Sequence, residues 1–560
     1  MILSNVTVDR GWARRALQVM LFLGLALATE GANAQQSLNG GTAVGPGSYA
    51  SGAGALATGN GATAVGLNAT ANDLFQNGNP TAVGVASNAS GRNATAYGAA
   101  SNATGGSSTA LGESAAAIGA NATATGFAAA ATGDFATALG AYSSANGTNA
   151  TALGFNAFVF GANATGVGRL ANVGGDNATA IGMQSVATGT NATASGQGSW
   201  ANGANATATG ELSLAKGLNA TATGQGAVAN GVTATATGQF SKAIGATASA
   251  FGQGSFANGD GTTAIGQGSV ANGANATATG QFSQAIGATA SAYGQGSFAN
   301  GMNATALGAT ALASGTGALA LGFNAQSNGD NAIAIGTNAV SAPNSVVIGP
   351  NATDNSFANA AVYGANAQVS AAGNVAIGNG ANASGANSVA LGEASAASSA
   401  GSTAIGRGAT ASAANSVAIG QNSVATAANT VSFGSAGNER RLTNVAAGIS
   451  QTDAVNVAQL NSVAAGWQTQ LTGLQNQVSV NLREARAGTA LALAAGQLQY
   501  DQRPGKVSVA AGVANFKGQS GLAAGIGYAV NNWVRVHASF TASPQINEYG
   551  VAGGASMTLN

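Results

Sequence analysis

The chain has 560 residues, of which only 6% are charged; 16 Lys and Arg balance 16 Asp and Glu, and 87 residues are glycine. Zero net charge removes the electrostatic case for nucleic acid or an anionic surface as partner, and the lack of cysteine removes disulfides, thiolate metal sites and cysteine nucleophiles together. The composition suits an extended surface protein better than an enzyme.

Residues 1–34 carry the marks of a secretory signal. Arg10, Arg14 and Arg15 precede an apolar run over 16–28, and Ala32-Asn33-Ala34 offers a small-residue cleavage site, so the mature chain is expected to begin at Gln35. The apolar run is too short to span a bilayer as a helix, and no other stretch approaches the length required. The expectation is export without a transmembrane helix.

Residues 35–428 are a repeat. From Gly84 a glycine recurs every 14 residues, through Gly98, Gly112, Gly126, Gly140, Gly154 and Gly182, as far as Gly336. Gly349 then ends its motif one residue early, and the phase resumes from Gly364 through Gly420 to Gly434. Each of these glycines closes a word such as Asn149-Ala-Thr-Ala-Leu-Gly154 or Asn415-Ser-Val-Ala-Ile-Gly420, and a weaker half-period appears at Gly119, Gly133, Gly147, Gly161, Gly189 and Gly203. Two short strands and two glycine-marked corners make one turn of a parallel β-solenoid, with glycine at both corners for its freedom at positive φ. At about 4.8 Å per stacked coil, the 25 periods from Gly84 to Gly434 would form a rod of roughly 120 Å. Val417 and Ile419 share one face of their strand, and Ser416 and Ala418 the other. Sister repeats put Ile, Leu, Val or Thr in the first pair of columns, so that face is expected to point inward. Residues 72–80, just before Gly84, read as an inserted loop, and 352–360 as a second modest irregularity.

Three other patterns in the repeat have simpler explanations. Asn-Ala-Thr at Asn93, Asn121, Asn149 and Asn163 matches a glycosylation triplet, but Asn also suits a turn. Thr-Ala-Thr at 207–209, 221–223, 235–237 and 277–279 resembles the threonine ladders of ice-binding solenoids, which an inward-facing column would rule out. A Gly-x-Gly-x-x-Ala string at Gly252 is uninformative in a chain so rich in Gly and Ala. The carboxylates of this region stand singly, at places such as Asp134, Glu211, Asp330 and Glu393. With no paired acids and no metal-ligand spacing, no catalytic, cofactor or metal site is expected.

A connector follows over 429–452. Its neck residues are Asn438 and the densest charge group, Glu439, Arg440 and Arg441, which is expected to form ion pairs between chains. Over 453–481, with Asp453 as expected N-cap, apolar residues fall at Leu460, Val463, Trp467, Leu471, Leu474 and Val478, a coiled-coil seam with a local stutter.

Residues 482–560 read as a membrane anchor: a helix rich in Ala and Gly over 485–497, then strands over 506–516, 520–530, 533–541 and 548–558, each long enough to cross a bilayer when tilted. Leu522, Ala524, Ile526, Tyr528 and Val530 share one face of the second strand. In the third, Val534, Val536, Ala538 and Phe540 oppose Arg535, His537, Ser539 and Thr541. The first sets suit lipid and the last a polar lumen, so His537 reads as lumen lining rather than as a base. Four strands cannot close a barrel, and open edges are not tolerated in hydrocarbon, so other copies must complete it. Two copies leave no room for the helices inside; three copies give twelve strands.

The words Asn429-Thr-Val-Ser-Phe-Gly434, Gly437-Asn-Glu-Arg-Arg-Leu-Thr-Asn-Val-Ala-Ala-Gly448 and Thr452-Asp-Ala-Val-Asn-Val-Ala-Gln-Leu460 resemble the neck and stalk entry of trimeric autotransporter adhesins, the YadA-like family. The 14-residue repeats resemble that family's head, and 482–560 its anchor. The resemblance implies a mostly β homotrimer: a left-handed parallel β-roll head, a neck, a short trimeric coiled-coil stalk and a twelve-stranded transmembrane barrel. It implies a Gram-negative outer-membrane and cell-surface location, reached through the periplasm. The implied partners are sister chains, outer-membrane lipid, the outer-membrane assembly machinery and a host matrix protein or cell-surface receptor. The implied function is attachment to host matrix, host cells or other bacteria. The alternative is a structural coat that promotes autoaggregation and complement resistance without a dedicated receptor. Collagen-binding members carry the Asn415–Gly420 type of motif in their heads, but most repeats here depart from it toward Asn-Ala-Thr-Ala. Family anchors usually finish on an aromatic residue, whereas this chain ends Met557-Thr558-Leu559-Asn560.

Overall fold

A computed structural model describes residues 36–73 and 78–559. The proposed signal segment and cleavage site lie outside them. The chain divides into two compact units between Arg440 and Arg441.

The first unit is a parallel β-solenoid of about 28 turns. Each regular coil holds a three-residue strand such as Thr151–Leu153 and a two-residue strand such as Phe158–Val159. Each strand pairs in parallel with its counterpart 14 residues on, Thr151 with Thr165 and Phe158 with Asn172. The three-residue strands, with the two-residue strand Val431–Ser432 at the end, form one sheet of 29 strands. The backbone ladder runs without interruption through a typical coil, with Thr151 N donating to Ala164 O at 2.8 Å and Gly154 N to Leu139 O at 2.8 Å. Because every coil contacts only its neighbours, stability is a sum over coils and interfaces.

The enclosed space is narrow, and this reverses the expected orientation of the strands. In the word that ends at Gly420, Ala418 is buried, while Val417 and Ile419 lie on the outside of the coil. The same holds throughout: Ala152 is fully buried between half-buried Thr151 and exposed Leu153. Two strands closed into a 14-residue loop leave little more room between them than methyl groups fill, so alanine holds most of the interior and most branched residues are turned out. The threonine columns at 207–209 and its counterparts therefore also face outward. Many core serines satisfy the hydroxyl locally, as Ser143 Oγ donates to Gly140 O at 2.8 Å, whereas Ser108 Oγ and Ser388 Oγ are buried without a partner. At Val159 and Val173 the volume is taken from a neighbour: Gly166 lies between them, within reach of both side chains.

The two glycine columns have different causes. Gly98, Gly112, Gly126, Gly140, Gly154, Gly182 and Gly420 have φ between +109° and +138°, where a side chain is strained. The half-period glycines such as Gly119 and Gly133 do not have positive φ. There a Cβ would meet the backbone of the next coil, Gly133 O and Gly147 O respectively, closer than real Cβ atoms approach. The positive-φ residue at that corner is instead the one two positions later: Asn93, Asn121, Asn149 and Asn163 have φ of 54° to 58°. Asn tolerates this left-handed conformation better than most residues.

Beyond the first described coil, where Gln36 pairs with Tyr49 at 13 residues, the regular register is broken at two places. Thr63 pairs with Thr81, four residues beyond the regular spacing. Ile333 then pairs with Val346 and Val346 with Ala361, a short coil followed by a long one. Asp354 is fully buried in the long coil. Its carboxylate accepts from Ala342 N at 2.5 Å and Ser356 N at 3.1 Å, and burial pushes its pKa up.

The second unit holds the one helix among the described residues, Val457–Gly496, followed by four antiparallel strands, Val507–Phe516, Gln519–Ala529, Val534–Ser543 and Glu548–Met557. The helix starts later than expected because Asn456, not Asp453, caps it. Asn456 and Gln459 form a reciprocal capping box, with Gln459 N donating to Asn456 Oδ1 at 3.0 Å. Asp453 instead closes the preceding turn, accepting from Ile449 N and Ser450 N at 2.9 Å each, which holds its carboxyl below the usual range.

Candidate functional site: anchor, helix seam and solenoid surface

In the anchor, alternation along the second strand creates two unlike faces. Gly521, Ala523, Gly525, Gly527 and Ala529 are buried, while Leu522, Ala524, Ile526 and Tyr528 are exposed. The buried side carries the helix, whose Ala487, Ala490 and Ala494 are fully buried. Close approach needs glycine on the sheet: a Cβ on Gly521 would collide with Ala490 O, and one on Gly512 with Ala494 O. The exposed side presents a continuous apolar surface that also includes Val509, Val536, Phe540 and Val551.

The polar residues of the third strand lie on the helix side. His537 stacks on Tyr500 with ring centroids 5.4 Å apart. A cavity of about 550 Å³ is lined there by Tyr500, Asp501, Arg535, His537, Ser539 and Ser556. Arg486 Nε, Tyr500 Oη and Arg535 Nε are buried in this unit without a hydrogen-bond partner. The first and last strands each keep one unpaired edge.

Along the helix, Leu460, Trp467 and Leu474 are each more than 60% exposed, and Val463, Leu471 and Val478 are nearly as open. An apolar seam of this length left in water points to helical partners.

The single carboxylates of the solenoid serve its corners. Asp134 accepts from Ala120 N and Asp330 from Thr316 N, at 2.8 and 2.7 Å. Glu211 ends a ladder that reading in blocks of 14 makes visible afterwards: Gln225, Gln239, Gln253, Gln267, Gln281 and Gln295 each donate an amide N–H to the residue 14 before, at 2.6–3.1 Å. An asparagine ladder from Asn149 to Asn219 runs along another corner. The ladders leave spare amide donors and acceptors on the surface at every coil.

At the neck, Asn438 N donates to Ser435 O at 2.8 Å, and Glu439 accepts from Gly437 N at 3.0 Å. Arg441 is exposed. Arg440 turns back onto the solenoid, donating to Ser423 Oγ and Phe433 O at 2.7 Å each and to Gln421 O. The ion pair found among the described residues is Arg503–Asp501, at 2.6 Å.

Comparison with known proteins matches the YadA head domain repeat to segments between residues 39 and 436 that together cover more than half of the chain. The chain belongs to the YadA-like family of trimeric autotransporter adhesins. Residues 499–559 match the YadA-like membrane anchor domain, and they contain the four-stranded sheet. The YadA-like anchor places the chain in the outer membrane and at the cell surface. Among curated relatives, autotransporter adhesin BtaF of Brucella suis is 51% identical over 90 residues, 16% of this chain and 31% of BtaF. Autotransporter adhesin BtaE of the same organism is 34% identical over 145 residues, 21% of this chain and 19% of BtaE. The chain thus spans less than a third of the length of these relatives. The crystal structure of the collagen-binding domain of Yersinia adhesin YadA is 28% identical and covers 41% of this chain and 84% of that one, with a TM-score of 0.14. At that score the superposition carries no weight. Membership of the family implies a non-enzymatic role.

Proposed function

We propose that the chain is a surface adhesin that works as a homotrimer, its anchors closing into one twelve-stranded barrel and its solenoids forming the adhesive head. The observation that carries this reading is the anchor sheet: four strands with two unpaired edges and one apolar face, and the opposite face occupied by its own helix. In hydrocarbon such edges must be paired, and pairing by identical sheets also offers partners for the helix seam. The outward Val, Ile, Leu and Thr columns of the solenoid run its full length. A parallel homotrimer can use such a uniform face for association, leaving the opposite face and the corner ladders for ligand. Repeated modest contacts along such a surface gain strength by avidity on a polymeric host matrix, on a host cell or on another bacterium.

Two measurements test the reading. Unboiled electrophoresis is expected to give a species near three times the chain mass, and Trp467→Asp with Leu471→Asp, which places charge in the seam, is expected to weaken it; a monomer from the unaltered chain refutes the trimer. Removal of 36–420 with neck, helix and anchor retained is expected to abolish attachment to matrix-coated surfaces. Persistent attachment refutes the adhesive head.

A further inference from the structure

The end of the solenoid poses a physical problem. A coil inside the stack is held from both sides, whereas the last has one neighbour and turns a row of open carbonyls outward. Such an edge frays first and is a template for another chain. The preceding coils show how each row is normally satisfied. Carbonyls just before the glycine receive the N–H of the next glycine, as Leu391 O receives Gly406 N and Ile405 O receives Gly420 N, at 2.7 Å each. Carbonyls just after it receive a second N–H, as Glu393 O receives Gly408 N and Arg407 O receives Asn422 N, at 2.8 Å each. The next glycine's planar peptide is also stacked directly over each glycine: a Cβ on Gly392 would meet Gly406 C and O at 2.5 Å, and one on Gly406 would meet Gly420 C at 2.5 Å.

At Gly420 this pattern stops, and another planar group takes over. What a Cβ on Gly420 would meet is the Arg440 guanidinium, with Nη1 at 2.9 Å and Cζ at 3.0 Å. Arg440 Nη2 donates to Gln421 O, the carbonyl just after the glycine, and Nη1 donates to Phe433 O, the carbonyl just before the next one. Ser423 completes the change. In an interior coil the equivalent hydroxyl donates to the glycine carbonyl, as Ser395 Oγ does to Gly392 O at 2.8 Å; Ser423 Oγ instead donates to Ile419 O at 2.7 Å and accepts from Arg440 Nη1.

We propose that Arg440 is the terminal cap of the solenoid, its guanidinium standing in over Gly420 for the peptide of Gly434, which leaves the stack after the last short strand at 431–432. A guanidinium suits the task because it is flat, always charged and carries its N–H donors in a rigid fork. Lysine offers a point charge without the plane. The assignment concerns the fold of a single chain and does not depend on the ligand or on the trimer.

Hydrogen exchange read by mass spectrometry on the full chain in detergent tests it. Arg440→Ala is expected to speed exchange in peptides covering 406–434 by roughly tenfold to a hundredfold, through the loss of three charge-assisted bonds. Peptides from coils before residue 378 are expected to be unchanged, and Arg440→Lys to recover at most part of the protection. Three results would overturn the proposal: unchanged exchange in 406–434 on Arg440→Ala, an equal loss of protection along the whole solenoid, or full recovery with lysine, which would mean that charge alone suffices.

Discussion

Gly166 gives the sharpest test of the alanine-wide interior. It occupies a column that holds Ala152 in the coil before and Ala180 in the coil after. A Cβ there would lie 2.7 Å from Val159 Cγ2 and 3.2 Å from Val173 Cγ2. Carbon atoms rest at about 3.5–4.0 Å, so Gly166→Ala must drive a valine methyl back by about 1 Å against a fully buried wall. Overpacking of this kind costs about 1–3 kcal/mol. In a chain that also carries Val159→Ala and Val173→Ala the sign should reverse, because the new methyl enters vacated space. It then gains about 0.8 kcal/mol for a buried carbon, together with about 0.5–1 kcal/mol from removing a strand glycine. The coupling between the sites is therefore roughly 2–4 kcal/mol. Exchange of peptides over 150–175, referenced to 375–405 in the same chain, reads both steps: about 5- to 150-fold faster for Gly166→Ala alone, and slower than the parent for Gly166→Ala in the double-valine background. Equal effects in the two backgrounds would refute the argument that interior width sets these residues.

Two further predictions follow from single contacts. Gly521→Val places branched carbon against Ala490 O on the helix, and the backbone there cannot yield. The helix should be displaced from the sheet, with loss of the heat-stable species on unboiled gels and less head at the cell surface; wild-type display would show that helix and sheet are not held in contact. Asp354 has a raised pKa in the folded chain because burial penalises its charge more than its hydrogen bonds favour it. A raised carboxylate pKa contributes stability that is full below the unfolded value, about 3.9, and lost as pH climbs through the folded value. Protection over 340–362, corrected for intrinsic exchange, should therefore be higher at pH 4 than at pH 7, and Asp354→Ala should remove the difference; protection that rises with pH would contradict the stated sign.

The anchor shows how far a pattern of alternation can be read directly. Leu522, Ile526 and Tyr528 were assignable to one exposed face because a strand with a glycine-rich side and a bulky side has only one way to lie against an alanine-rich helix. The same reading failed in the solenoid, where Val417 and Ile419 look like core residues beside Ala418. Alternation says that two faces differ, but not which of them is enclosed. The closed coil reverses the usual preference because its interior has room for a methyl group at most coils and admits a branched side chain only at a few, such as Val159 and Val173. The helix start differed for a comparable reason: Asp453 and Asn456 are both able to cap, and the backbone turn over 449–453 occupies the first.

The sequence by itself determined the 14-residue coil, the positions of both register breaks, the four anchor strands and the seam of the helix. All of these are periodic, and a period survives whatever the chain packs against. Only the tertiary structure decided which columns are inside, why the half-period glycines are required, that Asp354 is buried and that Arg440 closes the last coil. Each of these depends on what stands one coil away or across the narrow interior, and a neighbour fixed by stacking leaves no mark on local pattern.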